Sequence, residues 1–451
     1  MTQNADVIFN DREVAFREVA TIGVMMRRGD LIETEGPGLE LLRSIRKGQA
    51  TRASLTNLLV NRYGVLAEFA ASHSEEFINN LILAGIVSTS DGGVLPTSGL
   101  NKLTPINGVR CWQVARERHI PLKCKFDITY RCNIACKFCY NGERPGLPGP
   151  YPKESELTIS EIEGVFEQLY ESGTFVLTLS GGEPLARRDI DSILQLTDQF
   201  NFAVEILTNG TLVTERLAAI LGSHRVQLVV VPLFGSCSDT HDSFVRQRGA
   251  FERACRGIVA LRAAGVEVGV RCAITRANFD EWRTVRRLVE SWGARYFPHV
   301  QIHLSSDRQI DLRDSLRLND KSLAELFEGG LDLNPGYSCQ VGFARVDVLP
   351  NGDVSLCSLL TEPLGNLRHQ TFQEIWNHSS RLHELRSLLG DGVNGCNGCS
   401  VKADVAYRCS ADALFDDGGL DRLSSEALRV LRIADVHSSS REGGRANGIE
   451  V

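Results

Sequence analysis

Residues 123–139 read KCKFDITYRCNIACKFC, and this stretch decides the fold. Cys124, Phe126 and Ile128 share one face of a two-residue alternation, the period of a strand. Three thiols, Cys132, Cys136 and Cys139, then fall within eight residues. Ligands of a parallel α/β sheet collect at the C-terminal ends of its strands, so thiols placed directly after a strand mark a candidate site. Thiolates this close in sequence can surround one metal centre at little loop-closure cost.

Outward from this stretch, short β-branched runs alternate with amphipathic patterns. The predicted strands are 124–129, 175–179, 204–207, 226–233, 266–274 and 296–304. The predicted helices are 160–172, 189–200, 214–221, 250–264 and 279–292. Six such units predict an α/β domain over residues 120–305, a parallel sheet with helices outside, curled into a partial (β/α)6 barrel.

Residues 1–105 form another unit. Extended segments at 9–21 and 22–34 precede a break at Gly36-Pro37-Gly38 and helical patterns at 39–46, 54–63 and 68–84, a winged-helix-like order that closes before the Asp91-Gly92-Gly93 turn. Residues 306–420 are turn-rich and cysteine-bearing, with a Thr371/Glu374 capping box predicted to open one helix carrying Ile375, Trp376 and Leu382. Residues 421–451 are expected to be a C-terminal helix and a tail, with the Ser/Gly/Arg-rich stretch 438–451 disordered.

The chain has 451 residues, with 49 Lys+Arg against 56 Asp+Glu, a net charge of −7. The first 105 residues hold 10 basic and 12 acidic side chains, so neither the whole chain nor this unit is built to grip nucleic acid. The N-terminus is charged where a signal peptide is apolar, and the most apolar run, 226–234, is far short of the ~18–20 residues that span a bilayer. A cytoplasmic protein with no membrane partner is expected. Thirteen cysteines, an odd number, then read as a metal or redox inventory rather than a disulfide framework. Cys111, Cys124, Cys237, Cys255 and Cys272 are scattered singly and read as small buried hydrophobes. P-loop, G-x-S-x-G and H-E-x-x-H patterns are absent from the sequence.

A [4Fe–4S] cube held by three thiolates leaves one iron open, and an open position is what metal chemistry uses. The residues alone also allow a zinc loop completed by a distant ligand. The run Cys132–Cys139, with Phe138 before its last thiol, resembles the signature of the radical SAM superfamily. The resemblance implies that Cys132, Cys136 and Cys139 hold a [4Fe–4S] cluster whose open iron is chelated by S-adenosylmethionine, with Phe138 against the adenine. It further implies reductive cleavage to a 5′-deoxyadenosyl radical that removes hydrogen from a substrate. Ser180-Gly181-Gly182-Glu183-Pro184, at the end of the second strand, resembles the family's GGEP motif. By that likeness Gly181, Gly182, Glu183 and Pro184 bind the methionyl amino group. Asn209, at the end of the third strand, is a further candidate contact, although Asn-Gly is also a common turn. Asp239, His241 and Asp242 follow the fourth strand, where capping explains them as well as substrate contact does.

Cys339, twelve residues, Gly352, four residues and Cys357, then Cys396-x2-Cys399 and Cys409, resemble the SPASM/twitch extension that binds auxiliary iron–sulfur clusters. Val405 stands where that pattern has a cysteine, and no cysteine follows Cys409, so one auxiliary cluster fits the five thiols better than two. Its ligands are either Cys339 and Cys357 with the Cys396/Cys399 pair, or Cys339, Cys357 and Cys409 with one ligand still to find. A zinc ribbon on Cys339, Cys357, Cys396 and Cys399 is the alternative. Ser358 stands where anaerobic sulfatase maturases carry an Asp, and a hydroxyl is a poor base near neutral pH.

Residues 7–87 resemble the PqqD-like element of peptide maturases, which takes up a leader peptide as an added strand. A docking or dimerisation domain is the alternative. The resemblances together imply a maturase of a ribosomally made precursor peptide, served by a reductant such as flavodoxin or ferredoxin, forming a thioether, C–C or other oxidative cross-link. A tailoring enzyme acting on a small-molecule antibiotic intermediate and a non-enzymatic Fe–S or zinc redox adaptor are the rivals.

Overall fold

The computed structural model describes residues 6–48, 50–90, 109–139, 141, 155–305, 311–331, 340–389, 409–420 and 424–442. Cys339, Cys396, Cys399, the Asp91-Gly92-Gly93 turn and the tail beyond residue 442 lie outside the described residues.

The N-terminal unit comprises β1 Asp6–Phe9, β2 Ala15–Val19, β3 Ile22–Arg27, β4 Asp30–Glu35, α1 Gly36–Arg46, β5 Ala50–Thr51, α2 Arg52–Tyr63, α3 Ala67–Leu83 and β6 Val87–Thr89. The two predicted extended segments are broken into four strands. Arg28 and Gly29, with φ of 52° and 80°, make a two-residue hairpin between β3 and β4. That turn is easy to miss because left-handed φ is unusual for arginine. The antiparallel sheet β2-β3-β4 has two apolar faces. Phe16 and Met25 pack on the helices with Leu39, Leu42 and Ile78. Ala15, Val19, Ile22, Val24 and Met26 belong to a different core.

The central domain follows α4 Val109–Glu117 and runs β7 Lys123–Thr129, α5 Ile159–Glu171, β8 Val176–Gly181, α6 Ile190–Gln199, β9 Ala203–Leu207, α7 Glu215–Ser223, β10 Val226–Pro232, α8 Ser238–Val245, α9 Ala250–Ala263, β11 Val268–Ala273, α10 Trp282–Ser291 and β12 Arg295–His299. Strands β7 to β12 are parallel and adjacent in sequence order. Right-handed crossovers with no reversal of strand order put all the helices on one face. That face is apolar: Phe126, Ile128, Leu177, Leu179, Val204 and Val229 are in the main core. The other face carries Lys125, Asp127, Thr178 and Ser180, each at most 3% exposed. The alternation in KCKFDIT thus divides a helix-covered side from a polar lumen.

The C-terminal part comprises α11 Arg313–Leu316, α12 Asp320–Glu328, β13 Arg345–Val348, β14 Asp353–Ser355, β15 Gly365–Asn366, α13 Phe372–His378, α14 Ser380–Leu389, α15 Ser410–Asp417 and α16 Ser425–Glu442. Strand β13 pairs in parallel with β7, and β14 and β15 extend the sheet in antiparallel fashion to nine strands among the described residues. The Thr371/Glu374 capping box forms. Its helix ends at His378, however, and extended Ser379 places Leu382 on the next helix. Helix α16 reaches Glu442, so residues 438–442, expected to be disordered, continue a helix.

The β3 face that leaves the N-terminal bundle packs on Leu122, Phe175, Val176, Ala203 and Ala344. These residues sit at the N-terminal ends of the sheet strands, so the small sheet covers the mouth opposite the strand C-termini. Polar stitches hold it there: Asn201 Nδ2 donates to the Phe16 carbonyl at 2.7 Å, Arg28 N donates to Gln227 Oε1 at 2.8 Å, and Arg295 pairs with Asp30 at 2.9 Å. Ile22→Ala, in this shared core, is expected to cost about 2–4 kcal/mol and to raise amide exchange at the starts of β8 and β9. Hydrogen exchange with urea unfolding checks this, and unchanged exchange in the sheet would show that the two units do not share a core.

Candidate active site

Four successive strand ends build the site. The loop after β7 carries Cys132, Cys136 and Cys139, each half-buried. Its backbone is pinned to the end of α8, with Lys137 N donating to the Phe244 carbonyl at 2.9 Å and Ala135 N to the Val245 carbonyl at 3.3 Å. Phe138 meets Phe234 and Phe244 edge-on, with ring centroids 5.0 and 5.4 Å away. Its ring is therefore packed in an aromatic cluster beside the thiol loop.

At the end of β8, Gly182 N donates to the Thr129 carbonyl at 2.8 Å and Glu183 N to the Arg131 carbonyl at 2.9 Å. Gly181 has φ +126°, and a Cβ there would lie 2.0 Å from the Thr129 oxygen. A Cβ on Gly182 would lie 2.5 Å from the Arg131 oxygen. Both glycines are thus needed for the close approach of two strand-end loops. Pro184 begins a buried 3-10 turn that Glu183 caps.

The Glu183 carboxylate is wholly buried and accepts from Thr208 Oγ1 at 2.7 Å, Asn209 N at 2.8 Å and Leu185 N at 3.0 Å. Burial pushes its pKa up to about 7 against the pull of these hydrogen bonds. Asn209 Nδ2 donates to Asn133 Oδ1 at 2.8 Å and lies 3.9 Å from Cys132 Sγ, while its Oδ1 accepts from Thr211 N and Oγ1. One network thus joins the ends of β8 and β9 to the thiol loop. Sequence reasoning singled out Glu183 and Asn209 but not Asn133 or Thr211. Thr211 directly after the Asn-Gly pair was the available signal.

Burial raises the Cys132 thiol to about 11 and pushes Cys136 up as well. Three soft thiols on one pinned loop, with an amide N–H near one sulfur, fit a thiolate-held iron–sulfur cluster. His241 is buried, its Nδ1 accepting from Phe234 N at 3.2 Å, and burial lowers it to about 4. Asp242 accepts from Gly249 N and Phe251 N at the start of α9. Both have structural duties here, and Asp239 is exposed.

Further along, Cys357 is half-buried after β14 and Cys409 is the N-cap residue of α15. Ser358 Oγ donates to Asp347 Oδ2 at 3.1 Å. Asp347 is wholly buried on the lumen face, 3.7 Å from Lys125 Nζ, which is 2.5 Å from Asp127 Oδ1. Lys125 and Asp127 are neighbours on one face of β7, whereas nothing local in the sequence links them to Asp347. Gly181→Ala is expected to destabilise the chain by at least about 2 kcal/mol, through left-handed strain and a backbone clash. A thermal melt of the metal-free protein measures this, and an unchanged midpoint would contradict the loop contact.

Comparison with known proteins agrees with this geometry. Residues 126–289 match the family model of the radical SAM superfamily, and residues 339–400 match SPASM, an iron–sulfur cluster-binding domain. The AdoMet-dependent heme synthase of Methanosarcina barkeri is 26% identical over 344 residues, covering 68% of this chain and 95% of the relative. Mycofactocin maturase MftC of Mycobacterium tuberculosis is 26% identical over 343 residues, covering 70% of this chain and 85% of the relative. The solved structure of Streptococcus suis SuiB bound to precursor peptide SuiA aligns with a TM-score of 0.55 at 15% identity, over 93% of this chain and 99% of SuiB. Among the described residues, no helix is long and apolar enough to cross a membrane. The radical SAM domain implies a [4Fe–4S] cluster with S-adenosylmethionine, and the SPASM domain implies an auxiliary iron–sulfur cluster. By its two domain matches, the chain is a radical SAM enzyme with a C-terminal SPASM domain.

Proposed function

We propose that this enzyme matures a ribosomally made precursor peptide, with the N-terminal unit as a PqqD-like leader-recognition element and a flavodoxin- or ferredoxin-type protein as reductant. The observation that carries the substrate class is the likeness to SuiB, solved with its precursor peptide, which runs over 93% of this chain. Strands β2 and β4 are the outer strands of the N-terminal sheet β2-β3-β4, and an outer strand is where an extended leader adds. Such tethering raises the effective concentration of the core segment at the site.

Cys132, Cys136 and Cys139 would hold the cluster that, with S-adenosylmethionine, supplies the one-electron cleavage and hydrogen abstraction. The chain's own residues then position and protect. Glu183 uses three of about four lone-pair directions on protein donors, leaving one for an ammonium group. Asn209 holds the thiol loop against the end of β9. Converting a substrate radical to a cross-linked product releases one electron and one proton. An auxiliary cluster would supply an acceptor for the electron, and the Ser358 hydroxyl, which donates to buried Asp347, would offer the proton a route.

A second reading has its own observation, the heme synthase match over 95% of that relative's length. It makes the substrate a small molecule. Mass spectrometry on the reconstituted enzyme separates the two. A precursor peptide that loses two hydrogens supports the maturase, while turnover of a tetrapyrrole with an untouched peptide supports the other.

Anaerobically reduced wild-type protein is expected to release 5′-deoxyadenosine from S-adenosylmethionine, and Cys136→Ala is not. Equal release from both would refute the cluster assignment. Because the Glu183 acid is raised to about 7, its carboxylate form is lost as pH falls through neutrality. Affinity for S-adenosylmethionine should therefore fall about tenfold per pH unit below that point. Glu183→Gln should bind weakly with no such slope. Calorimetric titration from pH 6 to 8 reads both, and a flat wild-type profile would remove Glu183 from the ammonium site.

A further inference from the structure

We propose that His303, Cys409 and Asp412 form a site for one divalent cation of the zinc class, separate from the iron–sulfur centres. Among the described residues, these are the one group of three metal-capable side chains whose donor atoms all lie within 4.8 Å of one another. That spacing suits ligands of a single ion, since two donors about 2.0–2.3 Å from a tetrahedral zinc stand roughly 3.3–3.6 Å apart. The three come from two distant segments. Beyond the end of β12, Val300, Ile302 and Leu304 are buried in alternation, and His303, between the last two, is half-buried. Cys409 is the N-cap of α15 and Asp412 follows three residues on in its first turn, which brings both to one side of that helix end.

The Asp412 carboxylate adds an observation independent of this proximity. Its side chain is 8% exposed, and both of its oxygens lie 2.9 Å from a single donor, His303 Nδ1. Among the described residues no other hydrogen bond reaches them, and Arg313 pairs with Asp311 and Asp416 instead. A carboxylate has about four lone-pair directions. One shared N–H leaves most of them unmet where little water enters, a costly arrangement for a charge. A cation seated between Nδ1 and the carboxylate removes that deficit. It takes the place of the proton that the two groups share, the imidazole proton moves to Nε2, and the Cys409 thiol releases its proton to solvent as its sulfur binds.

One thiolate, one carboxylate and a neutral imidazole carry two negative charges, which balance a dication. A sulfur, a nitrogen and an oxygen donor on one ion are a ligand set that zinc accepts readily. Three protein ligands leave a fourth position, and His303, about one-third exposed, lets water or a substrate donor reach it. Residues 339–400 match the SPASM domain, and Cys409 lies beyond that match. Its thiol therefore has a use apart from the auxiliary cluster. Ile302 packs in the cluster that flanks Cys132, Cys136 and Phe138, so the ion clasps α15 to a segment that also lies beside the first thiol loop.

The test uses the full-length chain, anaerobically reconstituted with iron and sulfide so that the cluster thiols are occupied, then equilibrated with one equivalent of zinc chloride and desalted. Elemental analysis should find one zinc per chain beside the iron. X-ray absorption at the zinc edge should show one sulfur, the outer-shell scattering of an imidazole, and otherwise oxygen or nitrogen. His303→Ala, Cys409→Ala and Asp412→Ala should each lose the zinc and keep the iron, while His303→Cys should keep both and show two sulfurs. No bound zinc in the unaltered chain, or zinc in a shell of sulfur alone, would overturn the site whether or not the variants fold. Zinc that survives all three alanine substitutions would be an adventitious ion only and would overturn it too. Loss of iron with Cys409→Ala, but not with His303→Ala or Asp412→Ala, would make Cys409 a cluster ligand and equally end the proposal.

Discussion

A single buried carboxylate holds the strand ends in register. Glu183 has no contact with water, and its oxygens are claimed by the hydroxyl of Thr208 and the amides of Asn209 and Leu185. Removing such a charge from water is unfavourable unless its lone pairs are met, so the ends of β8 and β9 must stay together. Asn209 passes this constraint to Asn133 and Cys132, while the amides of Gly182 and Glu183 tie the same segment to Thr129 and Arg131. The thiol loop thus takes its position from the sheet.

The same economy governs the lumen. Singly wound crossovers place all helices on one side, so the other side is free to carry polar groups, and their burial demands mutual satisfaction. Lys125 lies between Asp127 and Asp347, and Lys123 pairs with Glu205 at 2.6 Å. Asp347 comes from β13, 222 residues after Lys125, and parallel pairing with β7 brings it there. The C-terminal region is thereby joined to the sheet through charge and backbone pairing at once.

What was legible in the sequence follows from range. The KCKFDIT alternation and the strand–helix rhythm depend on neighbours, and the six parallel strands lie within about three residues of their expected starts. Cys132, Cys136, Cys139 and the Gly181–Pro184 segment were legible for the same reason, since their meaning lies in short spacings. The Arg28-Gly29 hairpin was not, because the first of its two left-handed residues is an arginine, which rarely takes that conformation. The break at Ser379 was hidden because a capping box shows where a helix begins and says nothing of where it ends. Asp347 gave no signal, because it meets Lys125 only after distant segments pair.

The shared core beneath the barrel bears on how such enzymes can be recombined. Ile22, Val24 and Met26 face Leu122, Phe175 and Ala203 across the join, so the N-terminal unit is not a portable module that can be cut at a linker. A chimera that grafts another enzyme's recognition unit here must carry over the β3 face together with the residues beneath it. Otherwise the graft leaves greasy surface open at the base of the catalytic domain, and the hybrid would aggregate before its specificity could be read.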